Sequence, residues 1–354
     1  MKKIYRLLSF FLMFILISVI LTGSNKLSAS SNNTTYRKPI NAAVFLLDFN
    51  DDFIAEIAAK LANIQIANPD KIKFTYYDGK SNQDIQNQDI NKALNEDVDL
   101  ILLNIVDRTA AQTVINKIKE YNVPVILFNR EPLTPVPIQS YSKALFIGTD
   151  GKEAGNLQAE MIVNTWNTSK QFIDKNNNNV LQYVMLEGEL SSSEAVLRTK
   201  YSVYGIESSG ITTQQIALRV CDWLEQPAYE FIKALFQKYG DQIELIISND
   251  DTMAIGAIKA LQEYGYNTGD KSRLIPVVGV DVTPEAKELI DKELMLGSVF
   301  QDAGAYAEAL YTCGINMIAG KSPIAGTNYK FDETLVAIRL PTTKYYYKNP
   351  YPQK

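Results

Sequence analysis

Histidine is absent from all 354 residues, and that absence removes more chemistry than any other feature of the sequence. It excludes His-based catalytic triads, His-ligated zinc, facial-triad iron and haem with a histidine ligand. Cysteine is nearly absent. Cys221 and Cys313 cannot build an all-cysteine zinc site or an iron–sulfur cluster, and they read as two buried thiols in preference to one disulfide. With 13 prolines and 18 glycines, the chain is too poor in both to be fibrous or dominated by linkers. What is present, 46% hydrophobic and 21% charged residues, is ordinary globular material and enough for two cores. Residues 31–354 hold 31 basic and 40 acidic side chains. A surface that acidic repels phosphate backbones, which argues against nucleic acid as a partner.

The remaining positive charge is gathered at the N-terminus. Lys2, Lys3 and Arg6 precede an apolar run from Leu7 to Leu21 broken only by Ser9 and Ser18. A basic flank, an apolar stretch and small residues after it make a secretory signal over residues 1–30, with Ser28 and Ser30 suited to cleavage after Ser30. The alternative is a permanent anchor, if the helix continues through Thr22 and Gly23. Leu21-Thr22-Gly23-Ser24 has the shape of a lipoprotein box, but a serine hydroxyl cannot accept a thioether-linked lipid, so no lipidation is expected. Residues 31–39 read as a polar linker.

From Ile40 onward, β-branched runs alternate with amphipathic stretches. Strands are predicted at Ala42–Leu47, Ile72–Tyr77, Leu100–Asn104, Val123–Phe128, Leu145–Gly148, Leu181–Leu186, Thr212–Leu218, Glu244–Ile247, Ile275–Val280, Leu296–Phe300 and Leu335–Ile338. Helical patterns lie between them, among them Asp52–Gln65, Thr109–Tyr121, Glu153–Trp166, Gln226–Tyr239 and Thr252–Tyr264. Strands separated by helices imply right-handed βαβ units and parallel sheets covered on both faces. So many strands exceed one ordinary sheet, and two similar doubly wound α/β domains follow.

In such sheets ligands bind beyond the carboxyl ends of the strands. Polar residues recur there: Asn50-Asp51-Asp52-Phe53, Asn104 with Asp107, Asn129-Arg130-Glu131-Pro132, Ser191–Glu194 with Arg198, Asn249-Asp250-Asp251, and Asp281. No loop has the glycine spacing of a dinucleotide or phosphate site. Acids, amides and a guanidinium, with Phe53 and Trp223 to cover C–H faces, suit a neutral polyhydroxyl ligand.

These segments, together with Val123–Phe128, Gly148-Thr149-Asp150, Asn249–Gly256, Val278–Asp281 and Gly326-Thr327-Asn328, resemble the exported galactose/glucose-binding proteins of bacterial ABC sugar importers, within the type I periplasmic-binding superfamily. The resemblance covers roughly residues 40–340. It implies two lobes joined by three crossing strands and closing on a monosaccharide. The N-terminal lobe would comprise 40–147 plus 302–337, and the C-terminal lobe 148–301 plus 338–354. By matching position, Asp51 would accept from sugar hydroxyls, Phe53 and Trp223 would stack on opposite faces, and Asn129, Arg198 and Asp281 would hydrogen-bond the ring. Rival readings stand beside these. Asp51 also suits a helix cap, Asn129 and Asp281 a turn, Arg198 a surface charge, and Phe53 and Trp223 a core.

The chain departs from the family at several cleft positions. Ser192 stands where the family has histidine, Glu194 where it has aspartate, Asp250 and Gln301 where it has asparagines, and Leu47 where it has an aromatic residue. If Asp51, Glu194, Asp250 and Asp281 all face the cleft, they meet Arg198 as the one cation. That balance raises carboxyl pKa values or favours a donor-rich ligand, an amino sugar among them.

Asp174, Asn176, Asn178 and Gln182 place oxygen-bearing side chains at positions 1, 3, 5 and 9 of a calcium-type loop, with the Val180 carbonyl at 7. Asn179 replaces the usual glycine at position 6 and is the next best residue for a left-handed turn. Met185 at position 12 cannot ligate, and the resemblance points to Glu244 for the missing carboxylate. A structural Ca²⁺ is the expectation; a polar surface loop is the alternative.

The function expected is therefore a monomeric, exported sugar-binding protein that delivers its ligand to importer permease subunits. The alternative is a membrane-tethered sugar sensor for a histidine kinase or chemoreceptor. Catalysis is not expected, since no histidine activates the Ser191–Ser193 hydroxyls.

Overall fold

The computed structural model describes residues 38–347. The predicted export segment over 1–30, all but the last residues of the predicted linker, and Tyr351 lie outside the described residues.

The N-terminal half alternates strands and helices: β1 (Ile40–Leu46), α1 (Asp52–Ala67), β2 (Ile72–Asp78), α2 (Gln83–Leu94), β3 (Leu100–Leu103), α3 (Ala111–Glu120), β4 (Val125–Phe128), the single turn α4 (Val136–Gln139) and β5 (Ala144–Gly148). The second half repeats the scheme with α5 (Gly151–Ile173), β6 (Val180–Glu187), α6 (Ser193–Ser208), β7 (Thr212–Val220), α7 (Glu225–Tyr239), β8 (Leu245–Ser248), α8 (Asp251–Glu263), β9 (Val277–Asp281), α9 (Pro284–Asp291) and β10 (Gly297–Gln301). The chain ends with α10 (Ala303–Ile318), β11 (Ala337–Arg339) and β12 (Thr342–Tyr346).

Two six-stranded sheets result, in the orders β11-β5-β4-β3-β1-β2 and β12-β10-β9-β8-β6-β7. All pairings are parallel except β10 with β12. The strands are apolar throughout because each sheet is covered on both sides. In β1, Ala42, Val44 and Leu46 pack into one core cluster, and Ala43 and Phe45 into the cluster on the opposite face. α1 buries Phe53, Ile54, Ile57, Ala58 and Leu61, a helical stripe that seats it on the first sheet. Cys313 lies in a core of the first lobe and Cys221 in a core of the second. Both are free, and burial pushes each thiol up to about 12.

Each predicted strand has its counterpart, with ends shifted by up to two residues. β12 was not anticipated. It runs antiparallel to β10 from Gln301↔Thr342 to Gly297↔Tyr346 and gives the tyrosine-rich tail a place on the edge of the second sheet.

The chain passes between the sheets three times: through Thr149-Asp150 after β5, through Asp302 after β10, and through Leu340-Pro341 after β11. The last crossing falls later than the boundary expected at 337/338, because Ala337–Arg339 pairs in parallel with Phe146–Gly148. Polar bonds tie the crossings together. Thr149 donates to Gln301 Oε1, and Arg339 makes two bonds to Glu131, at 2.9 and 2.6 Å, and one to Asp332 at 2.9 Å.

Candidate functional site

Both sheets carry the strand order whose reversal, at β1/β3 and β6/β8, opens a crevice at the carboxyl ends. The two crevices face each other across one cavity of about 550 Å³, solvent at its mouth included. Its walls include all ten residues expected to meet a sugar. Asp51, Phe53 and Asn129 come from the first lobe, and Ser192, Glu194, Arg198, Trp223, Asp250 and Asp281 from the second. Gln301 enters from the second crossing, and Leu47 stands at the rim.

Most of these side chains serve the fold and the cavity at once. Asp51 Oδ1 caps α1 by accepting from the Ile54 N–H at 2.9 Å, Ser192 Oγ caps α6 through Ala195, and Asp250 Oδ1 caps α8 through Met253. Capping uses one lone pair of each oxygen and aims the rest of the group at the helix entrance, which here is the cleft. Phe53 belongs to the first core, edge-on to Tyr306 at 5.6 Å, and also lines the cavity. Arg198 is 4% exposed, so it is no surface charge. Its Nη1 donates to the Asn249 carbonyl, and its guanidinium lies 6.0 Å from the Trp223 ring centre.

Strain gathers at the same place. Asn129 (φ 60°), Trp223 (φ 64°) and Asp281 (φ 121°) occupy left-handed or extended positive-φ backbone that non-glycine residues avoid. Gly188 lies beneath Trp223, where a Cβ would collide with the indole ring.

Sequence reading missed Arg108 and gave Arg130 no role beyond its place at a strand end, and the expectation of a lone cation is corrected accordingly. Arg108, just after β3, pairs with Glu189 and, at 3.4 Å, with Glu194. Arg130, just after β4, meets Glu189 at 3.0 Å and holds the Ile105 and Val106 carbonyls at 2.7 and 2.8 Å. The Glu131 N–H donates to Glu194 at 3.3 Å. Arginines of one lobe thus clasp acids of the other, and Glu194 is largely engaged. Ser192 Oγ also donates to Glu194, at 2.9 Å.

Other strand-end polar residues are internal braces. Asn104 accepts from Leu47 N–H and donates to the Phe128 carbonyl and Asn129 Oδ1. Asn249 accepts from Gly188 N–H, and Asp251 accepts from Ser298 Oγ and Thr283 N–H.

Asp250 and Asp281 have carboxyls held well above the usual carboxylate range, first by burial and then by neighbouring acids. Asp51 is raised for the same first reason. Gln301 Nε2 donates to Asp281 Oδ1, so the hinge crossing anchors that acid.

A second cluster lies between α5 and β6. Asp174 accepts from Asn178 and Asn179 N–H at 3.0 Å each, Asn178 Oδ1 accepts from Val180 N–H, and Asn176 Nδ2 donates to Gln182. Glu244 Oε1 and Oε2 accept from Lys175 and Gln182 N–H, and burial raises its carboxyl. Asn179 has φ 64°, the left-handed turn that position 6 requires. The Gln182 amide has two orientations related by a half-turn. In one, its Oε1 would face the Glu244 oxygens, oxygen against oxygen; in the other its nitrogen donates to both, at 3.1 and 2.6 Å, and its oxygen accepts from Asn178 Nδ2 at 2.7 Å, which satisfies the amide. Among the described residues no group of three or more acidic, cysteine or histidine side chains forms a metal cage, so a cation here would rest on two carboxylates and neutral oxygens.

Two doubly wound lobes, three crossings and a polar cleft fed by both lobes define a two-lobed solute-binding protein. The chain belongs to the periplasmic binding protein domain family, whose model matches residues 42–322. It is 31% identical over 322 residues to the D-galactose/methyl-galactoside binding periplasmic protein MglB of Haemophilus influenzae, covering 91% of this chain and 94% of that one. Among solved structures it is similar to an ABC transporter solute binding protein from Bacillus halodurans with bound myo-inositol (TM-score 0.70, 21% identity, 88% of this chain and 96% of that one). A periplasmic solute binding protein from Actinobacillus succinogenes with bound D-allose is similarly alike (TM-score 0.72, 15% identity, 88% and 99%).

Proposed function

We propose that the protein captures a monosaccharide of galactose or glucose type outside the cytoplasm and delivers it, by closure of the lobes, to the permease subunits of an ABC importer. The observation that carries this reading is one cavity whose opposite walls, from different lobes, present carboxylates, amides, a guanidinium and two aromatic rings. Carboxylates and amides bond vicinal hydroxyls in the sugar plane, and flat rings cover its C–H faces. Family membership and the similarity to a galactose-binding relative support the same reading. Closure needs groups that act only when both lobes meet, which the interlobe arginine–glutamate pairs supply. The role is binding, with no group in the cleft assigned to catalysis.

Calorimetric titration with a panel of monosaccharides tests the reading, with Trp223 fluorescence as a second signal. At least one sugar is expected to release heat and to shift the emission. No response to any sugar, with binding of a peptide or nucleotide, would overturn it.

We further propose that the Asp174–Gln182 loop and Glu244 hold a structural Ca²⁺ of modest affinity. The oxygens of Asp174, Asn176, Asn178, Gln182 and Glu244 and the Val180 carbonyl would ligate it. Calcium is expected to raise the melting temperature of the chelator-treated protein by a few degrees, and Glu244→Gln to abolish the increment. An increment that survives in the variant would place the ion elsewhere.

A further inference from the structure

We propose that the ligand is a cationic amino sugar, its ammonium group held by Asp250 and Asp281 with Asp51 facing it from the other lobe. This rests on the sugar-binding reading above and narrows it.

The argument is a count of charges around the cavity. Arg108 and Arg130 are matched by Glu189 and Glu194, so these four form a neutral set of their own. Asp51, Asp250 and Asp281 remain, each lining the cavity and none within 4.0 Å of a lysine or arginine nitrogen among the described residues. Arg198 is the nearest positive charge to Asp250 and Asp281, and it gives Nη1 to a backbone carbonyl. Asp251, buried beside them, opposes their ionisation further, and its oxygens already accept from Ser298 and Thr283. Asp51, in the other lobe, feels Arg130, which favours its charged form, and Asp52, which opposes it; the Cys221 thiol beside Asp250 and the buried Tyr306 hydroxyl are neutral at pH 7.

Three desolvated carboxylates against one guanidinium leave the empty cavity short of positive charge. A neutral sugar can donate hydroxyls to them but cannot remove the repulsion, so part of the cluster must take up protons. An ammonium supplies both a charge and three donors. A second, independent observation points to a sugar framework around that charge. Arg198, 4% exposed, has an Nε–H without a partner, and the indole N–H of Trp223 is likewise unpartnered; both residues line the cavity. Hydroxyl and ring oxygens can satisfy donors of this kind. A polyhydroxyl ring bearing one amine meets both demands.

The experiment is calorimetry at pH 7 with aminodeoxyhexoses carrying the amine at different ring positions, each beside its neutral parent and its N-acetyl derivative. At least one amino sugar is expected to bind roughly thirtyfold tighter than its parent, with N-acetylation removing the gain. The preference should shrink as the pH falls, because protonation of the raised carboxyls removes the charge that the ammonium meets. Asp250→Asn should cut the preference about tenfold or more; asparagine keeps the oxygen that caps α8, so the variant should fold. Asp281→Asn gives a second reading of the same loss. Tight binding of a neutral sugar with weaker binding of every amino derivative would overturn the charge inference and leave the sugar reading standing. If no sugar of either kind binds, both fall.

Discussion

Arg108→Met is expected to weaken ligand binding by roughly thirtyfold, with most of the change in the dissociation rate. Arg108 belongs to the first lobe, and its partners Glu189 and Glu194 belong to the second. The guanidinium is 3% exposed and Glu194 8%, so the pairs form in a nearly dry interface. Removing one member of such a set leaves the other charges buried without compensation, which costs about 3–5 kcal/mol where burial is complete. Glu189 retains 22% exposure and keeps Arg130, so about 2 kcal/mol is the fitting figure. The open form, with these groups in water, loses nothing, and the whole penalty falls on closure. Glu189→Gln with Arg108→Met completes a double-mutant cycle; additive losses would mean that the clasp does not couple the lobes. Scattering on the liganded variant should show a larger open fraction than wild type.

The unliganded protein should melt on the order of 5 °C higher at pH 5 than at pH 8. Asp51, Asp250 and Asp281 have folded-state carboxyls raised above their unfolded values by burial, and Asp251 is pushed up to about 7 from 3.8. A carboxyl with a raised folded pKa contributes stability fully below its unfolded value and loses it as pH rises through the folded one. Each tenfold gain in proton affinity on folding is worth about 1.4 kcal/mol, so even part of this cluster accounts for a change of that size. Acids with lowered values, Asp241, Asp270, Asp291, Glu263 and Glu293, act with the opposite sign, but their window lies below about pH 4.5. With no histidine in the sequence, the interval from pH 5 to 8 belongs to the raised carboxyls. Asp250→Asn and Asp281→Asn should flatten the profile. A flat or falling melting temperature on acidification of the wild type would show that the cluster is not strained by its charge.

The fold was legible because each element carries its own local signal. Buried parallel strands read as unbroken apolar runs, and the helices that follow open on capping residues such as Asp51, Ser192 and Asp250. The cleft was legible for the same reason, since a residue at a strand end can be placed from the strand alone. Arg108 was not, because its meaning depends on Glu189, 81 residues away and on another sheet. Locally, Asp107-Arg108-Thr109 is a helix start, and Asp107 indeed caps it through Thr109 N–H. β12 escaped for a related reason. Thr342–Tyr346 has no strong alternation, and its strand character comes from the edge that β10 offers. Charge balance in the cleft is likewise a sum over pairs, so Arg198 looked solitary until the two arginines of the other lobe were in place.

The route of the chain sets an order of assembly. β11 completes the first sheet, yet it is made after every strand of the second sheet but β12, which closes the edge of that sheet only a few residues later. Neither lobe is whole until β11 and β12 have been made, so a nascent chain must stay open along two unfinished borders. Completion of both lobes is therefore tied to the synthesis of these two strands.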